Sequence, residues 1–86
     1  MIALIGTNKM AKLANIPQIT FLHNDNAKEW NEAFFDQFQQ ILFVNYAITT
    51  YAEVIILKYA PEKVLKLTNI KDLERYLIQL KNIINT

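Results

Sequence analysis

Few side chains in this sequence could support acid–base or metal chemistry. His23 is the single histidine, and Glu29, Glu32 and Asp36 follow one another at spacings of three and four. On a helix, that spacing places the three carboxylates on one face, where they could act as acid and base or hold a cation. No second group of ligands accompanies them. We therefore interpret the carboxylates as a solvated helix face and His23 as a solvated loop residue, and we predict no metal or other cofactor.

The residue types that nucleophilic enzymes require are missing. The chain has no cysteine and no serine, and Gly6 is its single glycine. Nucleophiles of the Ser–His and Cys–His kinds are therefore excluded. A glycine-rich phosphate loop cannot be built from one glycine. We predict that the protein is not an enzyme.

Composition favours a binding role. The chain has 86 residues, of which 52% are hydrophobic and 20% are charged, against about 45–50% and about 25% in typical domains. A domain of this size has little interior in which to bury that excess. We expect a protein–protein binding function, with another protein or a second copy as the partner. An inhibitor, an immunity-type protein or a subunit of an assembly would fit.

The net charge and the cysteine content bear on the type of partner and on the cellular compartment. The net charge of +1 is far below that of a strong nucleic-acid binder. A secreted domain this small would usually need disulfides, and the apolar start is too short for a signal peptide. We therefore expect an intracellular, cytoplasmic protein.

The pattern of caps and apolar residues predicts helices. Capping pairs begin at Asn26, Thr50 and Asn69, each followed three residues later by an acid. We predict three main helices, over residues 27–46, 51–60 and 70–84, with Pro61 ending the second. The predicted fold is all-α, a bundle of four or five helices that forms a single helical domain over residues 1–86.

The helical periodicity also assigns a core and a remainder. The predicted core consists of Trp30, Phe34, Phe38, Ile41, Val54, Ile55, Leu73, Leu77 and Leu80. The last helix repeats apolar residues in a heptad-like seam from Ile70 to Ile84, which would face the core or a dimer partner. Phe35, Phe43 and Ile78 have no place on the apolar faces, so they are our candidate protein-contact residues.

The second helix is apolar on all sides, which is typical of a helix buried in a core or an interface. Its segment is also rich in β-branched and aromatic residues, which strands favour. The alternative fold is therefore α+β, with two main helices and a small antiparallel sheet. Its strands would be residues 16–22, 53–59 and 63–68. We also predict a short helix over residues 8–15.

The apolar run over residues 41–60 is about as long as a bilayer requires. Glu53 near its centre would be costly in lipid. This residue argues against a membrane-spanning role.

One stretch resembles a known DNA-binding motif. Residues 9–21 resemble the core of a helix-turn-helix of the repressor type. Ala11 matches the small residue of the first helix, and Asn15 matches the turn position that favours a left-handed backbone. Ile16 and Phe21 match the apolar positions that follow.

This resemblance implies an alternative function as a DNA-binding regulator that uses residues 9–23. Gln18, Thr20 and His23 would then open the recognition helix and face the base edges of the major groove. Under this alternative, binding to duplex DNA should weaken steeply with salt.

Overall fold

The computed structural model describes residues 1–84, and a parallel β-sheet forms its centre. The four strands are β1 (Ile2–Gly6), β2 (Ile19–His23), β3 (Gln40–Val44) and β4 (Val64–Leu67). Their order across the sheet is β2-β1-β3-β4, and every neighbouring pair is parallel. In the register, Leu4 of β1 lies beside Phe21 of β2 and Leu42 of β3.

Helices lie between the strands and after the last strand. The α-helices are α1 (Glu32–Phe35), α2 (Thr50–Tyr59) and α3 (Ile70–Ile84), and the first, second and third 3₁₀ helices are Asn8–Ala14, Asn24–Glu29 and Pro61–Lys63. A side-chain oxygen caps the N-terminus of each α-helix. Asn31 accepts a hydrogen bond from Phe34 N at 2.8 Å, and Thr49 Oγ1 accepts one from Ala52 N at 3.2 Å. Asn69 Oδ1 accepts one from Asp72 N at 2.9 Å. Each bond satisfies a backbone N–H that would otherwise lack a partner.

The connections cover both faces of the sheet. On the first face, α2 and the segment between β2 and β3 pack against alternate strand residues, Ile41 and Phe43 among them. On the second face, the first 3₁₀ helix and α3 pack against Leu4, Leu42 and Val44. The architecture is therefore an α/β sandwich wound on both sides of a parallel sheet.

The all-α prediction, with its helical bundle, is wrong. Residues 27–46, predicted as one helix, contain the end of the second 3₁₀ helix, α1 and the strand β3. A parallel strand buried on both faces has a continuous apolar run, without the alternation that marks a half-buried strand. Residues 41–44 are such a run. A short run of this kind is also compatible with a buried helix.

The α+β alternative is closer, although its sheet also differs from the observed one. β2 and β4 lie close to two of the predicted strands, but residues 53–59 belong to α2, and the sheet is parallel rather than antiparallel. The other two predicted main helices are confirmed, with α2 ending before Pro61 and α3 capped by Asn69. In α3, Leu73 and Leu77 are buried. The predicted role of the Ile84 side chain in the seam lies outside the described part of the chain.

Within residues 1–84, no helix has both the length and the apolar content needed to cross a bilayer. The apolar run considered for that role is divided between β3 and α2.

The burial of Phe43, which was predicted to lie on the surface, gives a first testable prediction. Phe43 is fully buried in the first-face core, whereas Ile78 is 58% exposed. Phe43→Ala should lower the free energy of unfolding by about 3–5 kcal/mol, because it removes buried area and leaves a cavity. Ile78→Ala is the matched control and should change it by only about 0.5 kcal/mol. Urea titration followed by circular dichroism measures both, and equal effects would contradict this placement of Phe43.

Candidate functional site

A cleft of about 790 Å³ opens where β1, β2 and β3 end. Its volume lies within the range of about 300–1,000 Å³ that is usual for small-molecule sites. We call it the carboxyl-edge cleft. It is lined by Thr7, Asn8, Lys9, Met10, Lys12, Leu13, His23, Tyr46, Ala47, Ile70 and Glu74.

The strand order explains why the cleft forms at this place. The chain leaves β1 across the second face to reach β2, and it leaves β3 across the first face through α2. The connections after the adjacent strands β1 and β3 therefore diverge. In open α/β sheets, ligands bind in the crevice that such a divergence creates at the carboxyl ends of the strands.

Gly6 ends β1 and allows Met10, a lining residue of the carboxyl-edge cleft, to approach closely. A Cβ atom at this position would lie 2.6 Å from the Sδ atom of Met10, well inside van der Waals contact. Glycine therefore lets Met10 fold back over the end of β1, and the bond from Met10 N to Thr7 O, 2.9 Å long, holds this turn. The buried Met10 side chain then anchors the first 3₁₀ helix to the second face.

His23 ends β2 and lines the cleft with a defined ring orientation. Its Nδ1 atom accepts a hydrogen bond from Asp25 N at 3.0 Å, and it also lies 3.5 Å from Asp25 Oδ2. The same atom cannot accept from the amide and donate to the carboxylate. In the shorter amide contact Nδ1 is the acceptor, so the ring N–H that can donate is on Nε2. His23 thus retains one N–H donor, on the ring nitrogen that this contact leaves free.

Asn24 joins the ends of β2 and β3. Its buried side chain donates from Nδ2 to Ala47 O at 2.9 Å, and its Oδ1 accepts from Thr49 N at 3.1 Å. The amide carries its donor and its acceptor on two separate atoms, so both bonds can form at the same time. It fixes the loop that carries Tyr46 and Ala47 along one wall of the cleft.

The charges around the cleft are unbalanced. Lys9 and Lys12 face a single carboxylate, Glu74. Among the residues that the structure describes, neither lysine forms an ion pair. Both ammonium groups therefore remain free to pair with an anion.

A second surface, the outer face of α2, is apolar. We use this name for Tyr51, Val54 and Leu57, whose exposed fractions are 56%, 57% and 49%. The opposite side of the helix packs on the sheet through Ala52 and Ile56. The prediction that Val54 belongs to the core is therefore wrong. The helix is apolar on all sides because one side packs on the sheet and the other side carries exposed apolar residues.

The structure separates the three predicted protein-contact residues. Phe35 and Phe43 are buried in the first-face core, so neither contributes to the surface. Ile78 is exposed on α3. The two phenylalanines lacked a place only because their segments were interpreted as one helix.

The residues proposed to contact DNA lie on a turn and a strand. Gln18 precedes β2, and both Thr20 and His23 belong to β2. The first 3₁₀ helix is followed by this strand, so residues 9–23 lack the second helix that a helix-turn-helix requires. The expected recognition helix is wrong, and the parallel pairing of β2 with β1 is the finding that overturns it.

The three spaced carboxylates do not form a metal site. All three are exposed: Glu29 ends the second 3₁₀ helix, Glu32 begins α1, and Asp36 lies in the turn after α1. Over residues 1–84, no three His, Asp or Glu side chains are grouped closely enough to hold a metal ion.

The carboxyl-edge cleft was missed at the sequence level. Its signal was available in residues 2–6, a short apolar run that ends in the single glycine and is followed by polar residues. Assigning that run as a buried parallel strand would have placed Thr7 and Lys9 at a carboxyl edge.

Comparisons with protein families, with curated proteins and with solved structures found no match to this chain.

The bridging role of Asn24 gives a second prediction. Asn24→Ala should lower the free energy of unfolding by about 1–3 kcal/mol, because Ala47 O and Thr49 N lose their buried partner. Asn26→Ala, an exposed substitution in the same 3₁₀ helix, is the control and should cost less than about 0.5 kcal/mol. Urea unfolding of both variants tests this, and equal costs would show that the bridge does not stabilise the loop.

Proposed function

We propose that this protein acts by binding another protein, without catalysing a reaction, and that the outer face of α2 is its contact surface. The observation that carries the proposal is the exposure of Tyr51, Val54 and Leu57 on one helix of ten residues. The outward face of a surface helix is normally polar or charged.

The charges of α2 strengthen this argument. The helix has two charged residues, Glu53 and Lys58. Glu53 is turned toward the sheet, where its Oε2 atom pairs with Lys66 Nζ at 2.9 Å. Lys58 is therefore the only charge on the outward side, and it lies near the end of the helix. Burying this face against a partner would remove apolar area from water without stranding a charge at its centre.

The sequence supports a role without catalysis. Serine and cysteine are missing, which excludes nucleophiles of the Ser–His and Cys–His kinds. His23 holds Asp25 N through Nδ1, an arrangement that stabilises a turn.

A second copy of this chain is the partner that we propose. Antiparallel packing of two α2 helices about a twofold axis at Val54 places Tyr51 of one copy opposite Leu57 of the other. The two Lys58 side chains then lie at opposite ends of the contact, so like charges do not meet. Such a self-complementary patch is what an isologous interface requires.

The contact would be small. A helix of ten residues is about 15 Å long, which gives an interface at the low end of the size range for specific complexes. We therefore expect a weak dimer that exchanges with monomer and is populated at high protein concentration.

The third prediction concerns oligomeric state. Sedimentation equilibrium from micromolar to millimolar concentration should show a monomer–dimer equilibrium for the wild-type chain. Val54→Lys should shift it to monomer, because the substitution places two lysines against each other at the twofold axis. Ile78→Lys adds the same charge to an exposed isoleucine of α3 and should leave the equilibrium unchanged.

Two outcomes would overturn the proposed contact. One is a wild-type chain that remains monomeric at millimolar concentration. The other is an equal loss of dimer in both variants, which would indicate a general charge effect. Circular dichroism of each variant verifies that it is folded.

A further inference from the structure

We propose that the carboxyl-edge cleft binds a small organic phosphate that carries a planar ring, of about the size of a nucleoside monophosphate. This site goes beyond the protein-binding function. Tyr51, Val54 and Leu57 do not line the cleft, so either proposal can fail without the other.

The donors on the cleft wall favour a phosphate over a carboxylate. Lys9 and Lys12 supply ammonium groups, and Thr7 supplies a hydroxyl. The contact between Asp25 N and Nδ1 leaves His23 with its donor on Nε2. These four groups would share the two oxygens and the single charge of a carboxylate. A phosphate monoester has three terminal oxygens and a larger charge.

The remaining lining fits the rest of such a ligand. Met10, Leu13, Ala47 and Ile70 provide an apolar wall, and the exposed ring of Tyr46 lies at the same cleft. A planar ring can stack on an aromatic side chain and displace water from this wall.

Glu74 is the one acidic residue among those that line the cleft. Its carboxylate adds a charged acceptor to the cleft. It would repel a second anionic group and attract a hydroxyl or amino group of the ligand. A ligand with one phosphate and several hydrogen-bond donors satisfies this arrangement better than a polyanion does.

The segments that carry these side chains are held by contacts within the fold. Gly6 allows Met10 to anchor the first 3₁₀ helix, which carries both lysines. Asn24 holds the loop of Tyr46 and Ala47. A preorganised cleft of this kind loses less entropy when it binds a ligand.

Titration of the ¹⁵N-labelled chain with AMP at millimolar concentrations tests the proposal by NMR. The amide resonances of Thr7, His23 and Ala47 should shift with a common binding curve. Adenosine and inorganic phosphate, titrated separately, should each bind more weakly than AMP, because each fills only one part of the cleft.

The variant that combines Lys9→Gln and Lys12→Gln should weaken AMP binding by about tenfold or more, the effect of losing charge-assisted hydrogen bonds. Its matched control combines Lys28→Gln and Lys71→Gln, which removes the same charge from exposed positions outside the cleft. The control should bind AMP as the wild-type chain does.

Three results would overturn the proposal. The first is the absence of shifts at the cleft with AMP. The second is equal weakening in the two double variants, which would reduce the binding to general charge attraction. The third is binding of adenosine or phosphate alone as tightly as AMP, which would remove the anion subsite or the ring subsite.

Discussion

The burial of β1 and β3 on both faces is the constraint on which the structure depends. Residues such as Leu4 and Phe43 have no contact with solvent, so each face of the sheet needs its own covering layer. A chain of 86 residues can supply those layers only with short connections. The first 3₁₀ helix and α3 cover one face, and α2 with the segment around Trp30 covers the other.

Both candidate surfaces result from covering the sheet with so few elements. Because the connections after β1 and β3 leave toward opposite faces, the carboxyl edge between them stays open as a cleft. Because α2 is the main helix on the first face, it has no neighbouring helix to cover its outer side, and Val54 is exposed. Two different physical causes therefore produce two different kinds of surface. One is a crevice with donors at its rim, and the other is an apolar helix face.

The sequence predicted local features better than the fold. The Asn69 cap and the end of α2 before Pro61 were correct, because capping and proline effects act within a few residues. The class of the fold was not predictable in this way. Residues 41–44 have the same apolar run whether they form a buried strand or a buried helix, and only pairing with β1 decides between them. The candidate site was not predictable for the same reason, since Lys9 and Tyr46 line one cleft only when β1 and β3 are neighbours.

The all-parallel pairing also has a consequence for how the chain reaches this structure. Parallel neighbours cannot be joined by a tight hairpin, so even the closest pair matches Ile2 with Ile19, and the central pair matches Ile2 with Gln40. The entropy of closing these long loops is lost before the paired strands bury their side chains. The rate of folding is then limited by a search for distant contacts. While that search lasts, the apolar strands that later form the interior are the segments most exposed to intermolecular association.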